Sequence, residues 1–341
     1  MSAIPAVIPT LLATASPLTL SRLGRALDRL QGVQLCGQAS DLSGAYVRVE
    51  QAEPKLVILG PELMRHPDFP GLLAMFRVMG ITWMRIASDI VPSGPGGEAP
   101  ALDPALPAAE MLAAIRAALA RSATQPAALP QKTQAPAGQP RPGHARADRF
   151  ILIGASTGGI DALLRVLSVF PADCPPTAIV QHTGSAFSGS LIRLLDRCCA
   201  AQVLPAQTGV SFQPGTIVVG AGCGGHMRLR PGMPPRVEVA PGEPVSGHVP
   251  SVDELFRSAL PFAAKVTAAL LTGMGRDGAQ GMLELRRAGA ATIAQDEASS
   301  VVYGMPRAAW EIGAAETRLP LDRIGPELLA RCAEDRPEGA R

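Results

Sequence analysis

Three side chains in the second half of the chain could together perform acyl transfer. Ser156 stands in a Gly-x-Ser-x-Gly sequence that joins a run of branched apolar residues to a stretch with helical spacing. His182 follows a short apolar segment, and Asp277 lies within a glycine-rich one. A serine hydroxyl becomes a nucleophile when an imidazole accepts its proton, and a carboxylate fixes the tautomer of that imidazole. These residue types are the ones that nucleophilic attack at a carbonyl carbon requires.

Each of these residues follows a segment that we predict to be a strand. The predicted strands are residues 151–153, 177–181 and 266–271. In open parallel sheets, active groups collect beyond the carboxyl ends of the strands. We therefore expect Ser156, His182 and Asp277 to lie at one sheet edge. The first free N–H groups of the helix after Ser156 would point towards the group that its hydroxyl attacks.

All three residues also have structural interpretations. A small-residue turn between strand and helix is common, a histidine at a strand end is usually hydrogen-bonded, and an aspartate between glycines most often caps the following helix. His226 and His248, in glycine- and proline-bounded loops, are rival candidates for the base. The shared placement at strand ends favours catalysis, because unrelated structural roles would scatter over both sheet edges.

Two phosphate-binding loops compete for the sequence around Ser156. A dinucleotide loop, Gly-x-Gly-x-x-Gly, needs its second glycine at position 156, where a side chain blocks the pyrophosphate. The spacing of Gly154 and Gly159 suits a P-loop, but Ile160 and Asp161 stand where Lys and Ser or Thr are required. Each loop lacks a residue that its chemistry needs, so nucleotide binding is disfavoured.

Length and composition limit the possible classes of protein. The 341 residues suffice for about two domains, and 47% hydrophobic with 18% charged residues is ordinary for a soluble protein. A net charge of +2, with two Trp and two Tyr, offers neither a basic field nor stacking platforms, so we expect no nucleic-acid partner. Six cysteines without a C-x-x-C pair indicate reduced thiols, and no uncharged apolar run approaches the roughly 20 residues of a membrane span. We therefore expect a cytoplasmic protein without membrane insertion.

The first 122 residues alternate predicted strands with predicted helices. Ser16 and Pro17 are typical of a helix N-cap and first helical position. The predicted strands are residues 6–14, 33–36, 56–59 and 81–86, and a further helix is predicted over residues 108–120. This pattern indicates a small doubly wound domain of the flavodoxin-like type, and its layout resembles a response-regulator receiver.

The chemical residues of a receiver are missing from this domain. A receiver has an acidic pair after its first strand, a phosphate-accepting aspartate after its third strand, and a later lysine. Here residues 13–16 are Ala, Thr, Ala and Ser, Gly60 follows the third predicted strand, and no Lys occurs between residues 60 and 121. Neither a metal site nor a nucleophile for phosphoryl transfer remains. We predict a degenerate receiver-like domain over residues 1–122, used for docking or fixed regulation, or else a relic kept for stability.

The rest of the chain predicts a linker and a second α/β domain. Residues 123–147 are rich in Pro, Ala and Gln and predict the linker, the second domain is predicted over 148–332, and a flexible tail over 333–341. Further strands are predicted at 216–219 and, as the last parallel strand, at 290–294. Helices are predicted at 160–170, 190–199, 251–262, 279–288 and 306–312. Ser251 and Glu254 fit a capping box at the start of the third of these. We expect a doubly wound, mainly parallel sheet.

Six segments in this domain match a known family in the family's order. They are residues 154–159, 181–182, 225–227, 250–253, 271–278 and 294–307. Over residues 150–329 the chain resembles the catalytic domain of the CheB chemotaxis protein-glutamate methylesterases. The resemblance implies Ser156 as nucleophile, His182 as base and Asp277 as orienting acid, with an oxyanion site made by backbone N–H groups near Thr157 and Met274. After His182, where the family usually has Met and prolines, the chain has Thr, Gly and Ser at 183–185, which changes the substrate rim.

The resemblance also implies a function. The chain would be a serine hydrolase of a chemosensory pathway that removes methyl groups from glutamate γ-methyl esters of chemoreceptors, and the same steps would deamidate glutamine. No metal or organic cofactor is expected. The expected partners are the receptor's cytoplasmic signalling domain and a chemosensory histidine kinase or adaptor protein. Arg257, Arg276 and Arg307 could steer acidic receptor helices, although exposed arginines more often only solvate the surface. The alternative is a non-catalytic adaptor that carries a residual triad.

Overall fold

The structure, a computed structural model, describes residues 7–66, 69–87, 99–124 and 149–333. The chain divides into two compact units, Met1–Ala128 and Leu129–Arg341. The greater part of the predicted linker, residues 125–147, and residues 334–341 of the predicted tail lie outside the described residues.

The first unit is a parallel sheet with helices between its strands. Its elements are β1 (Ile8–Ala13), α1 (Pro17–Asp28), β2 (Val33–Ala39), α2 (Leu42–Ala52), β3 (Leu56–Leu59), α3 (Phe69–Met79), β4 (Thr82–Ile86), β5 (Ala101–Leu102) and α4 (Ala108–Thr124). The five strands are all parallel and lie in the order β2-β1-β3-β4-β5. This is the flavodoxin-like strand order, so the predicted fold of the unit is confirmed.

Local chemistry starts the helices of this unit. The Ser16 side chain accepts a hydrogen bond from Thr19 N, with Pro17 at the first helical position of α1, as predicted. Asp41 caps α2 in the same way through Gly44 N. The sequence patterns do not predict α2, α3 and β5 individually. α3 has apolar residues on most of its surface and therefore lacks the polar stripe by which a surface helix is recognised.

A carboxylate occupies the edge of this sheet where β1 and β3 end. The Glu62 side chain accepts hydrogen bonds from Thr14 Oγ1 and from the Ala15 backbone N–H. A Cβ atom on Gly60 would collide with the Glu62 carboxylate and would lie 2.6 Å from Thr14 Oγ1. The position directly after β3 therefore has no room for a side chain while Glu62 holds this place.

The second unit is a larger parallel sheet with an inserted hairpin. Its elements are β6 (Phe150–Ala155), α5 (Gly159–Leu167), β7 (Thr177–Gln181), α6 (Ser185–Cys198), β8 (Gln202–Pro205), β9 (Thr216–Gly220), β10 (His226–Arg230), β11 (Arg236–Ala240), α7 (Val252–Ser258), β12 (Val266–Leu270), α8 (Ala279–Arg287), β13 (Ala291–Gln295), α9 (Met305–Glu311), β14 (Thr317–Leu319) and α10 (Leu321–Ala333). The strand order is β14-β13-β12-β6-β7-β9-β8, with every neighbouring pair parallel. β10 and β11 form a separate antiparallel pair. The predicted mainly parallel α/β fold is confirmed.

Some predicted elements have different limits in the structure. β13 is not the last parallel strand, because β14 adds to the sheet edge beside it. β14 is only three residues long and none of them is buried, so it lacks the apolar run that indicates a strand. The helix predicted over 251–262 ends at Ser258, and a 3-10 turn containing Pro261 follows it. Proline has no N–H to continue an α-helix.

The strands of the second unit form an apolar core with helices α7 and α8. Every residue of β6, β7 and β12 is buried. Phe256 of α7 and Met282 of α8 are fully buried against this sheet. Within the described ranges, no helix combines the length and apolarity that crossing a membrane demands. The six cysteines are all free thiols.

Candidate active site

Strand order and register bring the predicted catalytic residues together. β12, β6 and β7 are neighbours, and Asp277, Ser156 and His182 follow them in that order. Ala155 and Gln181 are the last register partners of β6 and β7, so Ser156 and His182 are the next residues after the two paired strand ends. The His182 backbone N–H continues the ladder by donating to Ala155 O at 3.0 Å. All three residues therefore lie at the carboxyl edge of one sheet.

The backbone around Ser156 is fixed on both sides. The Ser156 carbonyl accepts from Gly159 N at 2.7 Å and from the Gln181 amide Nε2 at 2.9 Å, while Ser156 N donates to Thr272 O. Gly273 packs so closely that a Cβ atom there would lie 2.7 Å from Ser156 Cβ. The turn is thus held by both neighbouring strand ends. Gln181 also donates to His182 O, so one buried amide holds both residues, a role that we did not predict.

His182 and Asp277 form a buried hydrogen bond. The distance from His182 Nε2 to Asp277 Oδ2 is 2.8 Å, and the two side chains are 8% and 0% exposed. Because an ionised carboxylate can only accept, the Nε2 atom carries the proton. His182 Nδ1 is buried and has no hydrogen-bond partner among the described residues. Its lone pair is therefore free on the ring edge away from Asp277, and the structure forms no hydrogen bond between it and Ser156.

Asp277 is also the cap of a helix. Besides His182, its carboxylate accepts from Ser251 Oγ at 2.7 Å and from the first backbone N–H groups of α7, Val252 at 2.8 Å and Asp253 at 3.1 Å. Burial by itself raises the pKa of the Asp277 carboxyl, but the bonds from His182, Val252 and Ser251 outweigh burial and hold the pKa below its ordinary value. The helix that Asp277 caps is α7 and not the following helix α8.

The two helices cap each other. Asp253, in the first turn of α7, accepts a hydrogen bond from Gly281 N in the first turn of α8 at 2.7 Å. Asp277, just before α8, caps α7. An anionic group is favoured at a helix N-terminus by the free N–H groups and the helix dipole. The orienting carboxylate is therefore fixed by two helices at once.

The predicted capping box is only half formed. Ser251 Oγ accepts from Glu254 N at 3.4 Å, as an N-cap should. Glu254, however, forms an ion pair with Arg228 at 2.6 Å, and Ser251 N donates to His226 Nδ1 at 3.2 Å. The second nitrogen of His226 lies 2.9 Å from Glu243 O. Both ring nitrogens of His226 are thus engaged in a residue that is 1% exposed, so His226 has a structural role.

The two predicted oxyanion donors lie in two loops. One is the loop after β6, which also contains Ser156, and the other is the loop after β12. Thr157 begins the turn into α5, and its carbonyl accepts from Thr272 Oγ1 at 2.9 Å. Met274 follows Gly273, the residue packed on Ser156, and no acceptor within residues 149–333 is hydrogen-bonded to the Met274 N–H. The use of these two amides in catalysis stays a prediction.

A groove begins beside this loop. It has a volume of about 640 Å³ and is lined among others by Met274, Arg276, Tyr303 and Arg307. Arg276 is exposed. Arg307 forms a largely exposed ion pair with Glu311, with 3.7 Å between Arg307 Nε and Glu311 Oε1. The third arginine considered from the sequence, Arg257, is bound to Glu284 at 3.2 Å and does not line the groove.

Comparisons with known proteins agree on one family. Residues 151–328 match the family model described as CheB methylesterase. The chain is 37% identical over 326 residues to the "protein-glutamate methylesterase/protein-glutamine glutaminase" of Agrobacterium fabrum, an alignment that covers 90% of this chain and 92% of that relative. It is 52% identical over 184 residues to a protein of the same name from Gluconobacter oxydans, covering 53% of this chain and 52% of the relative.

A solved structure supports the same assignment. The crystal structure of the Thermotoga maritima CheB methylesterase catalytic domain aligns with a TM-score of 0.51 and 30% identity, covering 53% of this chain and 97% of that one. The family model spans more than half of the present chain, and the Agrobacterium relative aligns over nearly all of it. The chain belongs to the CheB methylesterase family.

Proposed function

We infer that this protein is a protein-glutamate methylesterase, a serine hydrolase that removes methyl groups from glutamate γ-methyl esters of chemoreceptors and releases methanol. The observation that carries this inference is the buried hydrogen bond between His182 and Asp277 beside Ser156, in a chain of this family. The names of the relatives, which combine methylesterase and glutaminase activities, support it.

The first chemical step is attack by Ser156. The His182 ring donates Nε2–H to Asp277, so the lone pair of Nδ1 remains to accept the serine proton. Ser156 Oγ then bonds to the ester carbonyl carbon, and the carbonyl oxygen becomes an oxyanion. Asp277 stabilises the imidazolium that forms, and the low pKa of its carboxyl keeps it ionised for that role.

The reaction is then completed in two stages, loss of methanol from the tetrahedral intermediate and hydrolysis of the acyl-enzyme. The backbone N–H groups of Thr157 and Met274 donate hydrogen bonds to the oxyanion. Donors in this position stabilise the oxyanion more than they stabilise the ground-state carbonyl oxygen. The bond to the methoxy oxygen breaks, His182 returns its proton to that oxygen, and methanol leaves. Water, deprotonated by His182, then hydrolyses the acyl-enzyme and restores the glutamate and Ser156. With a glutamine substrate, ammonia leaves instead of methanol and the other steps are unchanged.

The direct test is methanol release from methylated receptor membranes by the full chain. We expect methanol in proportion to the esters lost, and labelling of Ser156 by a serine-directed fluorophosphonate in the same preparation. A non-catalytic adaptor with a residual triad would bind the membranes without releasing methanol and without being labelled. The two outcomes separate an enzyme from a docking protein.

We propose that the groove beside Met274 receives the acidic signalling helix of the receptor. Arg276 and Arg307 place two guanidinium groups along it, one of which is only weakly engaged, by Glu311. Opposite charges across an interface raise the association rate and fix orientation. An open groove also suits a substrate carboxyl that stands on the surface of a long helix.

Reversing both groove charges should raise KM for receptor membranes. For Arg276→Glu with Arg307→Glu we expect about a tenfold higher KM or more at low salt, a kcat close to that of the unchanged protein, and a smaller difference at high salt because salt screens exposed charges. Arg287→Glu with Arg323→Glu, an equal charge change at two exposed positions that do not line the groove, is the matched control. An unchanged KM in the double variant would remove these arginines from substrate recognition.

We further propose that the first unit is a degenerate receiver domain that is not phosphorylated on aspartate. Gly60 occupies the acceptor position after β3, and the Glu62 carboxylate fills the space beside it. A carboxylate that is already hydrogen-bonded to Thr14 and Ala15 also repels a second anion at that edge. The unit would act in docking or in fixed regulation.

Incubation with a small-molecule phosphodonor should leave this protein unchanged. We expect no added phosphate by mass spectrometry and no change in the rate of methanol release, because the acceptor position lacks a carboxylate. A phosphodonor response that disappears on replacing Glu62 by glutamine would contradict the proposal. The same replacement without phosphodonor shows whether Glu62 affects the basal rate.

A further inference from the structure

A second imidazole lies flat on the proposed base. The rings of His248 and His182 are stacked, with their centroids 3.7 Å apart and their planes 9° from parallel. His248 is half-buried, whereas the His182 side chain is 8% exposed. His248 therefore covers one face of the His182 ring. One edge of that ring points to Asp277, and the other presents Nδ1, which has no hydrogen-bond partner among the described residues.

A short, pinned turn presents His248. Val245 and His248 exchange two backbone hydrogen bonds, of 3.2 and 3.0 Å, across a two-residue loop. The loop residues Ser246 and Gly247 both have positive φ, 52° and 85°, as a type I′ turn requires. Ser246 Oγ donates to Asp253 Oδ2 at 3.1 Å. The turn is thus tied to the carboxylate that caps α8, next to Asp277.

The stack supplies a restraint that the hydrogen bond alone lacks. The His182 ring is held in its plane by one bond, from Nε2 to Asp277, and rotation about the Cβ–Cγ bond would still swing Nδ1 through an arc. Terminal torsions of this kind have broad energy wells. A second flat ring at van der Waals distance blocks that rotation on one face. The direction of Nδ1 is then defined by two contacts instead of one.

We propose that His248 is a positioning residue of the esterase, whose ring holds the plane of His182 so that Nδ1 faces Ser156. It acts through His182 and does not touch the substrate. The inference rests on the proposed roles of Ser156 and His182. It requires the flat shape of the His248 ring and not its nitrogen atoms.

The charge state of His248 fits this role. Burial lowers the pKa of His248, the neighbouring His182 lowers it further, and Asp277 opposes the two effects. The ring is therefore kept neutral at neutral pH. A neutral aromatic face tolerates the positive charge that forms on His182 during the reaction, whereas a second imidazolium in a stack would repel it.

Three variants of the full chain separate shape from chemistry. His248→Ala removes the stacked ring, His248→Phe keeps a flat ring without nitrogen, and Ser246→Ala loosens the turn while leaving the imidazole in place. We expect His248→Ala to lower kcat about 10- to 100-fold with KM changed less than about twofold, since misplacing a reacting group costs rates of that order. His248→Phe should restore most of kcat, and Ser246→Ala should fall in between.

The rate of Ser156 labelling by a fluorophosphonate gives a second readout that does not depend on the receptor. It should fall in His248→Ala and recover in His248→Phe, with unchanged thermal unfolding curves. An unchanged kcat in His248→Ala, or a His248→Phe variant as slow as His248→Ala, would overturn the proposal, the latter by showing that the nitrogens are needed. Labelling without methanol release would reject the proposed substrate and leave this inference testable, whereas no labelling of the unchanged protein would reject both.

Discussion

Replacing Ser156 by alanine is expected to abolish methanol release, with a loss of kcat of at least about 10³-fold. The reason is chemical, because alanine has no atom that can bond to the ester carbon, while the oxyanion donors and the base remain. Turnover is measured as methanol released from methylated receptor membranes. The residual rate reports the contribution of the remaining groups to the hydrolysis by water.

The fold should tolerate this change. The Ser156 hydroxyl forms no hydrogen bond within the described part of the chain, while the backbone bonds of Ser156 to Gly159, Thr272 and Gln181 do not involve its side chain. We expect the free energy of unfolding to change by less than about 1 kcal/mol. Ser168→Ala, at the far end of α5, is the matched control and should keep full activity. Activity that survives in Ser156→Ala with an intact fold would remove Ser156 as the nucleophile.

The placement of the candidate site could be predicted because it follows from strand ends. Ser156, His182 and Asp277 each follow a short apolar run, and parallel strands bring their carboxyl ends to one edge. Two of these strands, β12 and β6, are neighbours in the sheet although they are distant in sequence. Periodicity identifies such strands but does not give their order. The family resemblance, carried by six segments, made the choice of residues specific.

The orientation of side chains at the site could not be predicted from the sequence. Which imidazole nitrogen meets Asp277 depends on how the segments after β7 and β12 place the two side chains relative to each other, and this placement is a tertiary property. The stack of His248 on His182 arises in the same way, from a turn that lies 66 positions away along the chain. The interpretation of Asp277 as a helix cap was partly right, because its carboxylate caps a helix, but that helix precedes it.

The sequence also does not predict which of several possible partners a charged side chain binds. Glu254 has the sequence position of a capping-box residue, yet the guanidinium of Arg228 binds its carboxylate. Arg228 donates two N–H groups to Glu254 Oε2, whereas a capping box would offer that carboxylate a single backbone N–H. Arg257 is likewise engaged by Glu284. Sequence spacing identifies residues that can meet, and the nearest stronger partner decides which contact forms.

Replacing Asp277 by asparagine should reduce both activity and stability. We expect kcat to fall by about 10⁴-fold, because an amide can neither stabilise the imidazolium nor fix the Nε2–H tautomer of His182. Each oxygen of Asp277 accepts from two donors, Oδ2 from His182 and Val252, and Oδ1 from Ser251 and Asp253. Whichever oxygen the amide NH₂ replaces, two donors lose their acceptor. We therefore expect a loss of about 1–3 kcal/mol in the free energy of unfolding, measured by urea denaturation.

Asp322→Asn provides the control for this stability loss. Asp322 lies in the first turn of α10 and is exposed, so the same change at a helix N-terminus should cost only a few tenths of a kcal/mol. An Asp277→Asn variant as stable as the control would mean that the four hydrogen bonds at the carboxylate contribute little net stability. A variant that retains kcat would exclude Asp277 as the orienting acid even if its stability falls.

The stability difference between the unchanged protein and Asp277→Asn should also depend on pH. The pKa of the Asp277 carboxyl is lower in the folded protein than its ordinary value, since bonds from His182, Val252 and Ser251 outweigh the opposing effect of burial. A carboxyl of this kind contributes stability that is complete above its unfolded pKa of about 3.9 and is lost as the pH falls through the lower folded value. The difference in unfolding free energy should therefore be constant between about pH 5 and 7 and should narrow below about pH 4. A difference that widened on acidification would mean that the folded protein prefers the protonated carboxyl, and the ionised acid that holds His182 would then have to be another residue.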